Sequence, residues 1–246
     1  MELIILLALS AGPHPLTDPL PGPDSPSTAW VLEKLKSLRP SAEPASADAG
    51  SPIALECLQT PGQPDTVGVR QDMLIDAPLA DVAAVVEDFA HYAELFPDVK
   101  DVHRVAGQDD ENRFVVAWEQ KVPVFFWPNV KYEMAWVVER ARPGRVSYLY
   151  KLKQKGEVYA TDGFIALEAV GTQTRYSEVD FIDAATGPVP NATVWDLTLS
   201  GMFRSDVAIK LKAEHPAWSY PKLRAEAEKL LERFPTRVCF DKRHPR

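Results

Sequence analysis

Apolar and polar residues alternate along much of the second half of the chain. Alternation with a period of two is typical of strands that bury one face. Short turns such as Pro143-Gly144 and Gly171-Thr172 separate the runs, so the strands are expected to pair antiparallel. The predicted strands cover residues 112–122, 130–139, 145–153, 157–169 and 172–183, after an earlier strand at 67–75.

Helical patterns flank this series of strands. A helix that begins at Pro78 would bury Val82, Val85, Val86 and Phe89. Asn191 can cap a long helix over 193–213, and a further helix follows at 219–234. The order predicts an α+β fold in which a curved antiparallel sheet wraps around the long C-terminal helix, with an extra C-terminal helix.

The N-terminal quarter has a different composition. An apolar run over residues 3–9, followed by small residues, is typical of a secretory signal and predicts a signal-like segment at 1–12. Eleven of the 22 prolines precede residue 65, which predicts a Pro-rich linker at 13–64. Ser27 can cap a short helix in it, which would either rest on the domain or dock a partner. Residues 65–246 form the predicted domain, and the leader favours a secreted or periplasmic protein over a cytoplasmic one.

Charge and motifs exclude several functions. The net charge is −8 and no basic cluster appears, so nucleic-acid binding is not expected. No metal, phosphate-loop or nucleophile motif is present, so no cofactor, metal or catalytic residue is predicted. The oligomeric state is left open by the sequence.

The same face of several predicted strands carries large rings. They indicate either a packed aromatic core or a cavity, because each buried Tyr or Trp needs a partner for its polar atom. The residue types alone leave both interpretations open. The candidate ligand-binding residues on the sheet and long helix are Phe114, Trp118, Tyr132, Met134, Trp136, Tyr148, Tyr150, Trp195, Leu199, Met202 and Phe203.

The connection between the predicted strands at 112–122 and 130–139 is almost wholly apolar. Loops usually face water and are polar. Residues Val124, Phe125, Phe126 and Trp127 are therefore predicted to fold over the mouth of the sheet as a lid, or to make a transient membrane contact.

Four titratable residues could in principle act as acids or bases. His103 is expected to be a surface histidine. Asp162, Glu178 and Asp180 are expected to point outward into solvent, whereas an inward orientation would make them acid/base candidates with raised pKa values.

The arrangement over residues 66–213 resembles the START-like (SRPBCC) superfamily, in particular its coenzyme-Q-binding and polyketide-cyclase-type branch. The resemblance rests on IDAPLADV at 75–82, on Asp88, Tyr92 and Pro97, on GFIALEAVGTQTRYSEV at 163–179, and on the turn at 187–190. It implies a helix-grip fold that holds a lipid, an isoprenoid quinone or a polyketide-like molecule between the sheet and the last helix.

Three functions are compatible with that resemblance. The first is binding or carriage of an apolar small molecule, without catalysis. A polyketide cyclase or aromatase would need an inward base near its substrate. A protein-interaction module would need only a filled core.

Cys57 and Cys239 are predicted to form a disulfide, because each lies just outside the matching region and the two ends of a helix-grip fold can approach each other. An exported chain with two cysteines is expected to pair them. The loop would stabilise the fold by roughly 4–5 kcal/mol on the chain-entropy argument. Thiol titration of the protein from its native compartment should find no free thiol; two free thiols would contradict both the disulfide and export.

Overall fold

A single antiparallel sheet with helices along one face makes up the part of the chain that the computed structural model describes. The described residues are 39–40, 45–46, 53–59, 67–107, 110–122, 128–140, 143–153, 158–184 and 191–232. Within these ranges, no helix is long and apolar enough to cross a bilayer.

Among the described residues the sheet has ten strands, two of them only two residues long. Its order is β1-β3-β4-β10-β9-β8-β7-β6-β5, with β2 beside β3. From β5 to β10 each strand pairs with the next along the chain, as short connections require. The strands are β1 (Arg39–Pro40), β2 (Ala45–Ser46), β3 (Ile53–Gln59), β4 (Val67–Ile75), β5 (Val99–Arg104), β6 (Arg113–Gln120), β7 (Val130–Glu139), β8 (Arg145–Leu152), β9 (Val158–Val170) and β10 (Gln173–Ala184).

Two groups of helices cover the inner face of the sheet. The first follows β4 and comprises α1 (Leu79–Glu87), a 3₁₀ turn (Phe89–His91) and α2 (Tyr92–Leu95). The second follows β10 and comprises α3 (Asn191–Glu214) and α4 (Tyr220–Glu232). All of them contribute buried side chains to one core with the inner face of the sheet, among them Val82, Val86, Leu95, Leu199, Phe203, Val207, Leu223 and Ala227.

The outer face of the sheet is also buried at its centre. A second apolar cluster there is made by Ala135, Val137, Leu149, Phe164, Ala166, Val179 and Phe181. Strands β7 to β10 therefore bury side chains on both faces. For such strands, the alternation of apolar and polar residues in the sequence does not show which residues face the helices.

One boundary differs from the sequence prediction. Residues 53–59 fall in the predicted linker, but they form β3 and pair with β4 from Ile53 opposite Met73 to Leu58 opposite Gly68. The prolines lie outside this segment and leave its backbone free to pair. Its apolar residues can therefore extend the sheet by one strand. The signal-like segment and the Ser27 helix lie outside the described residues.

The predicted disulfide stays a prediction. The backbone of Cys57 lies in β3 opposite Val69. Its side chain and the whole of Cys239 lie outside the described residues.

Gly163 on β9 allows a close approach across the inner face. Its cross-strand neighbours are Tyr150 on β8 and Asp180 on β10. A Cβ atom at Gly163 would lie 2.3 Å from the Val179 carbonyl oxygen and 2.8 Å from the Tyr150 hydroxyl oxygen. Glycine is therefore required here for space, so that the Tyr150 ring can cross β9.

We expect Gly163→Ala to lower the free energy of unfolding by about 2 kcal/mol or more, because the methyl group overlaps backbone and ring atoms. Gly201→Ala is the matched control. It lies within α3, and its nearest neighbour would be the Asp98 Oδ2 atom at 3.8 Å, so it should stabilise by about 0.5–1 kcal/mol. Urea unfolding measures the free energy of unfolding of both variants. Equal effects of the two substitutions would contradict the close approach of Tyr150 to Gly163.

Candidate functional site

The large rings of β6, β7 and β8 all lie on the inner face. Phe114, Trp136 and Tyr150 are cross-strand neighbours in one row, with ring centroids 6.2 Å and 5.0 Å apart. Trp118 and Tyr132 form a second stacked pair at 6.2 Å. The structure thus places these predicted residues on a continuous aromatic wall, and Met134 and Tyr148 lie on the same face.

The wall is not uniformly buried. Phe114, Trp136 and Tyr150 are buried, whereas Trp118 and Tyr132 keep part of their surface exposed. On α3, Leu199 and Phe203 are buried and Met202 is half-buried. The inner face is therefore more accessible at the Trp118 end than in the centre. The side chain of Trp195 and the apolar loop residues 124–127 lie outside the described residues.

An acidic cluster occupies the inner face of β10. Glu178 accepts hydrogen bonds from the Tyr150 hydroxyl at 2.6 Å and from the Tyr176 hydroxyl at 2.6 Å. Asp206 on α3 reaches the same Tyr176 hydroxyl at 3.0 Å. Asp180 lies two residues beyond Glu178 and is 7% exposed. Sheet and long helix thus bring three carboxyl groups and two phenols together in the interior.

The cluster corrects an expectation from the sequence. Glu178 and Asp180 were expected outside, but they face the helices, while Val179 and Phe181 fill the outer cluster. Asp162 does face outward, yet it is 4% exposed and lies opposite Lys151 on the neighbouring strand. The expectation failed because both faces of β10 are buried. His103 lies at the surface beside Asp101, as expected.

Burial determines the charge of the cluster. Burial, and then the neighbouring Glu178, raise the pKa values of both Asp180 and Asp206 well above the ordinary range for aspartate. Burial and the adjacent carboxyl groups likewise raise the pKa values of Tyr150 and Tyr176. A tyrosine hydroxyl has one hydrogen, so Tyr176 cannot donate to Glu178 and Asp206 together. Asp206 in its acid form resolves this, because it can itself donate.

Several buried polar atoms of the inner face have no hydrogen-bond partner. They are the Gln71 Oε1, Asp180 Oδ1, Trp118 Nε1 and Trp136 Nε1 atoms. Gln71 is completely buried and lies directly opposite Glu178. An unsatisfied buried polar group costs about 1–3 kcal/mol, so any hydrogen-bonding group that reached these four atoms, a water or a bound molecule, would stabilise them.

Sequence reasoning missed Gln71, Tyr176 and Asp206. Gln71 interrupts the apolar alternation of β4, and Asp206 interrupts the apolar stripe of α3. Each interruption is a signal for a buried polar contact, although neither identifies its partner. No group of three or more residues suited to holding a metal ion occurs among the residues that the structure describes.

The raised pKa of Asp180 has a testable sign. Between the unfolded value of about 3.9 and the higher folded value, the folded state holds a proton that the unfolded state has released. Raising the pH through that window therefore destabilises the fold. The Asp180→Asn variant has no such proton. As the pH rises through that window, we therefore expect its free energy of unfolding to increase relative to that of the unaltered chain. The total increase should be about 1.4 kcal/mol for each unit by which the fold raises the pKa of Asp180. Chemical unfolding at pH values from about 4 to 8 measures this difference, and a pH-independent difference would contradict it.

Comparisons with known proteins agree with this architecture. No protein-family model and no curated protein matches the chain. Among solved structures, a STAR-related lipid transfer protein from Xanthomonas axonopodis is 17% identical, with a TM-score of 0.51 over 78% of this chain and 99% of that one.

Two human structures are similar in the same way. STARD10 is 12% identical with a TM-score of 0.55, over 88% of this chain and 86% of its own. StAR-related lipid transfer protein 5 is 13% identical with a TM-score of 0.56, over 77% of this chain and 94% of its own. The prediction from the sequence is confirmed at the level of fold: the chain has a START-like, α+β helix-grip fold, in which a curved antiparallel sheet packs against a long C-terminal helix.

Proposed function

We propose that the protein binds and carries an apolar small molecule between the inner face of the sheet and α3. The observation that carries the proposal is the aromatic wall itself, whose Trp118 and Trp136 indole nitrogens are buried without a partner. A core selected only for packing would satisfy these donors or replace them with apolar atoms. A bound molecule with a few polar atoms would supply the missing partners.

The ligand class follows from the same surface. Phenyl, indole and phenol rings with Met134 and Leu199 would contact a long or polycyclic apolar body, so a lipid, an isoprenoid quinone or a polyketide-like molecule fits. The similar structures named as lipid transfer proteins support the first of these. Secretion or periplasmic location, and membrane contact through the loop at 124–127, are parts of the same proposal.

The half-exposed end of the wall is the proposed route of entry. Met202 lies on α3 and packs beside the core without being fully buried. Trp118 and Tyr132 have the same intermediate exposure on the sheet. A ligand could pass between these side chains without unpacking the buried centre of the fold.

A second candidate function is catalysis on a polyketide-like substrate. The specific observation that favours it is the pair of inward carboxyl groups, Asp180 and Asp206, whose pKa values are raised by burial and by Glu178. A carboxylic acid whose pKa is raised keeps its proton to higher pH and can donate it as a general acid. Turnover that is lost in Asp180→Asn while binding is retained would favour this enzyme over a carrier.

The carrier proposal predicts a co-purifying ligand. Native mass spectrometry of protein purified from its own source without detergent should find an apolar molecule bound at one per chain. Protein that carries none, and that also fails to extract fluorescent lipids or quinones from vesicles, would contradict the proposal and favour an interaction module with a filled core.

A blocking substitution tests the location. Met202→Trp should reduce uptake of a fluorescent apolar probe by about tenfold, because a larger ring at the half-exposed end of the wall obstructs entry. Ala225→Trp is the control, since Ala225 is exposed on α4 and makes no part of the inner face. Equal uptake by both variants would place the binding site elsewhere.

A further inference from the structure

We infer that the apolar ligand carries a primary amine, and that its ammonium group binds at Gln71 and Asp180 beside Glu178. This inference rests on the proposed function and adds the chemistry of the ligand's polar end. It is carried by two unpartnered acceptors next to an acidic cluster that has no cation.

The first observation is the position of the two acceptors. Gln71 on β4 lies opposite Glu178 on β10, and Asp180 is the next residue along the same face. Neighbours of this kind lie within reach of one another's side chains. The Gln71 Nε2 atom contacts the Met73 Sδ atom at 3.8 Å, so its Oε1 atom is the one left without a partner. The Asp180 Oδ1 atom is unpartnered as well.

The second observation is the charge of the cluster. Glu178, Asp180 and Asp206 are all at least nine-tenths buried. Among the described residues, no lysine or arginine makes an ion pair with any of the three. The nearest basic residue along α3, Lys210, instead bonds the Leu74 carbonyl oxygen and Glu214. Burial and Glu178 raise the pKa values of Asp180 and Asp206, so these two groups keep protons to higher pH in place of a cation.

The chemistry of the acceptors selects the head group. A primary ammonium has three N–H donors, enough for Gln71 Oε1, Asp180 Oδ1 and a third acceptor of the cluster. A hydroxyl group has one donor and would leave one of the two acceptors unpaired. A quaternary ammonium has no donor, and a carboxylate offers only acceptors to the unpartnered oxygens of Gln71 and Asp180.

Binding would release a proton. The amine is already protonated in water near neutral pH, and Asp180 would lose its acid proton to solvent as it pairs with the ammonium, so the charge of the site is conserved. The described titratable groups around Asp180 come from five elements. They are Tyr132 on β7, Tyr150 on β8, Asp162 on β9, Glu178 on β10, and Asp206 on α3.

The experiment compares four probes with one alkyl chain: decylamine, decanol, decanoate and decyltrimethylammonium, each titrated calorimetrically below its micellar concentration. Decylamine should bind the unaltered chain roughly tenfold or more tightly than the other three, as expected for hydrogen bonds to a charged group. Titrations in two buffers with different ionisation enthalpies should show release of about one proton per decylamine.

Substitutions test the two acceptors. Asp180→Asn and Gln71→Leu should each reduce decylamine affinity by about tenfold and leave decanol affinity within about threefold, and Asp180→Asn should abolish proton release. Asp72→Asn is the matched control, because Asp72 bonds Ser177 on the opposite face of β4 and should change neither affinity. Circular dichroism of each variant verifies the fold.

The outcomes separate the two proposals. If decanol or decanoate binds as tightly as decylamine, the head-group inference is overturned and the apolar binding site stands. The head-group inference is also overturned if decyltrimethylammonium binds as tightly as decylamine, or if decylamine binding releases no proton. If none of the four binds to the unaltered chain, the proposed function fails and the inference fails with it.

Discussion

The paired hydrogen bonds from Tyr150 and Tyr176 to Glu178 are the constraint on which the interior depends. They hold the Glu178 carboxyl group in the core without a basic partner, since two phenol donors replace the water that burial removes. Tyr150 reaches Glu178 only because Gly163 has no side chain. Tyr176 extends the same network to Asp206, and so connects the sheet to α3.

The position of α3 is reinforced on its other side, within the same turn of the helix. Arg204 forms ion pairs with Asp98, in the loop before β5, and with Glu228 on α4. The inner side of α3 is thus held by a buried hydrogen bond, and its outer side by partly exposed charges. A helix held on both sides can keep its distance from the sheet even where the rings of the wall are only half-buried.

The order of elements was predictable because each strand and helix carries a strong local pattern. The strands at 130–139 and 145–152 and the helix at 191–214 follow from alternation, turn residues and the apolar stripe of the helix. The facing of Glu178 and Asp180 was not predictable. Their neighbours Val179 and Phe181 are apolar, and alternation alone assigns the apolar residues to the core. Strand β3 was missed because proline density dominated the interpretation of its surroundings.

Binding and stability make opposite demands on the acidic cluster. An apolar replacement of a buried charged group is often neutral or stabilising, so a fold selected for stability alone would not retain three buried carboxyl groups. Asp180 is the clearest case, because one of its oxygens has no partner, while burial and then the neighbouring Glu178 raise its pKa. On the proposed function, a bound molecule supplies the donors that Asp180 and Gln71 lack and so offsets the cost of leaving them incompletely paired. On that proposal, the polar centre of the wall serves binding rather than stability.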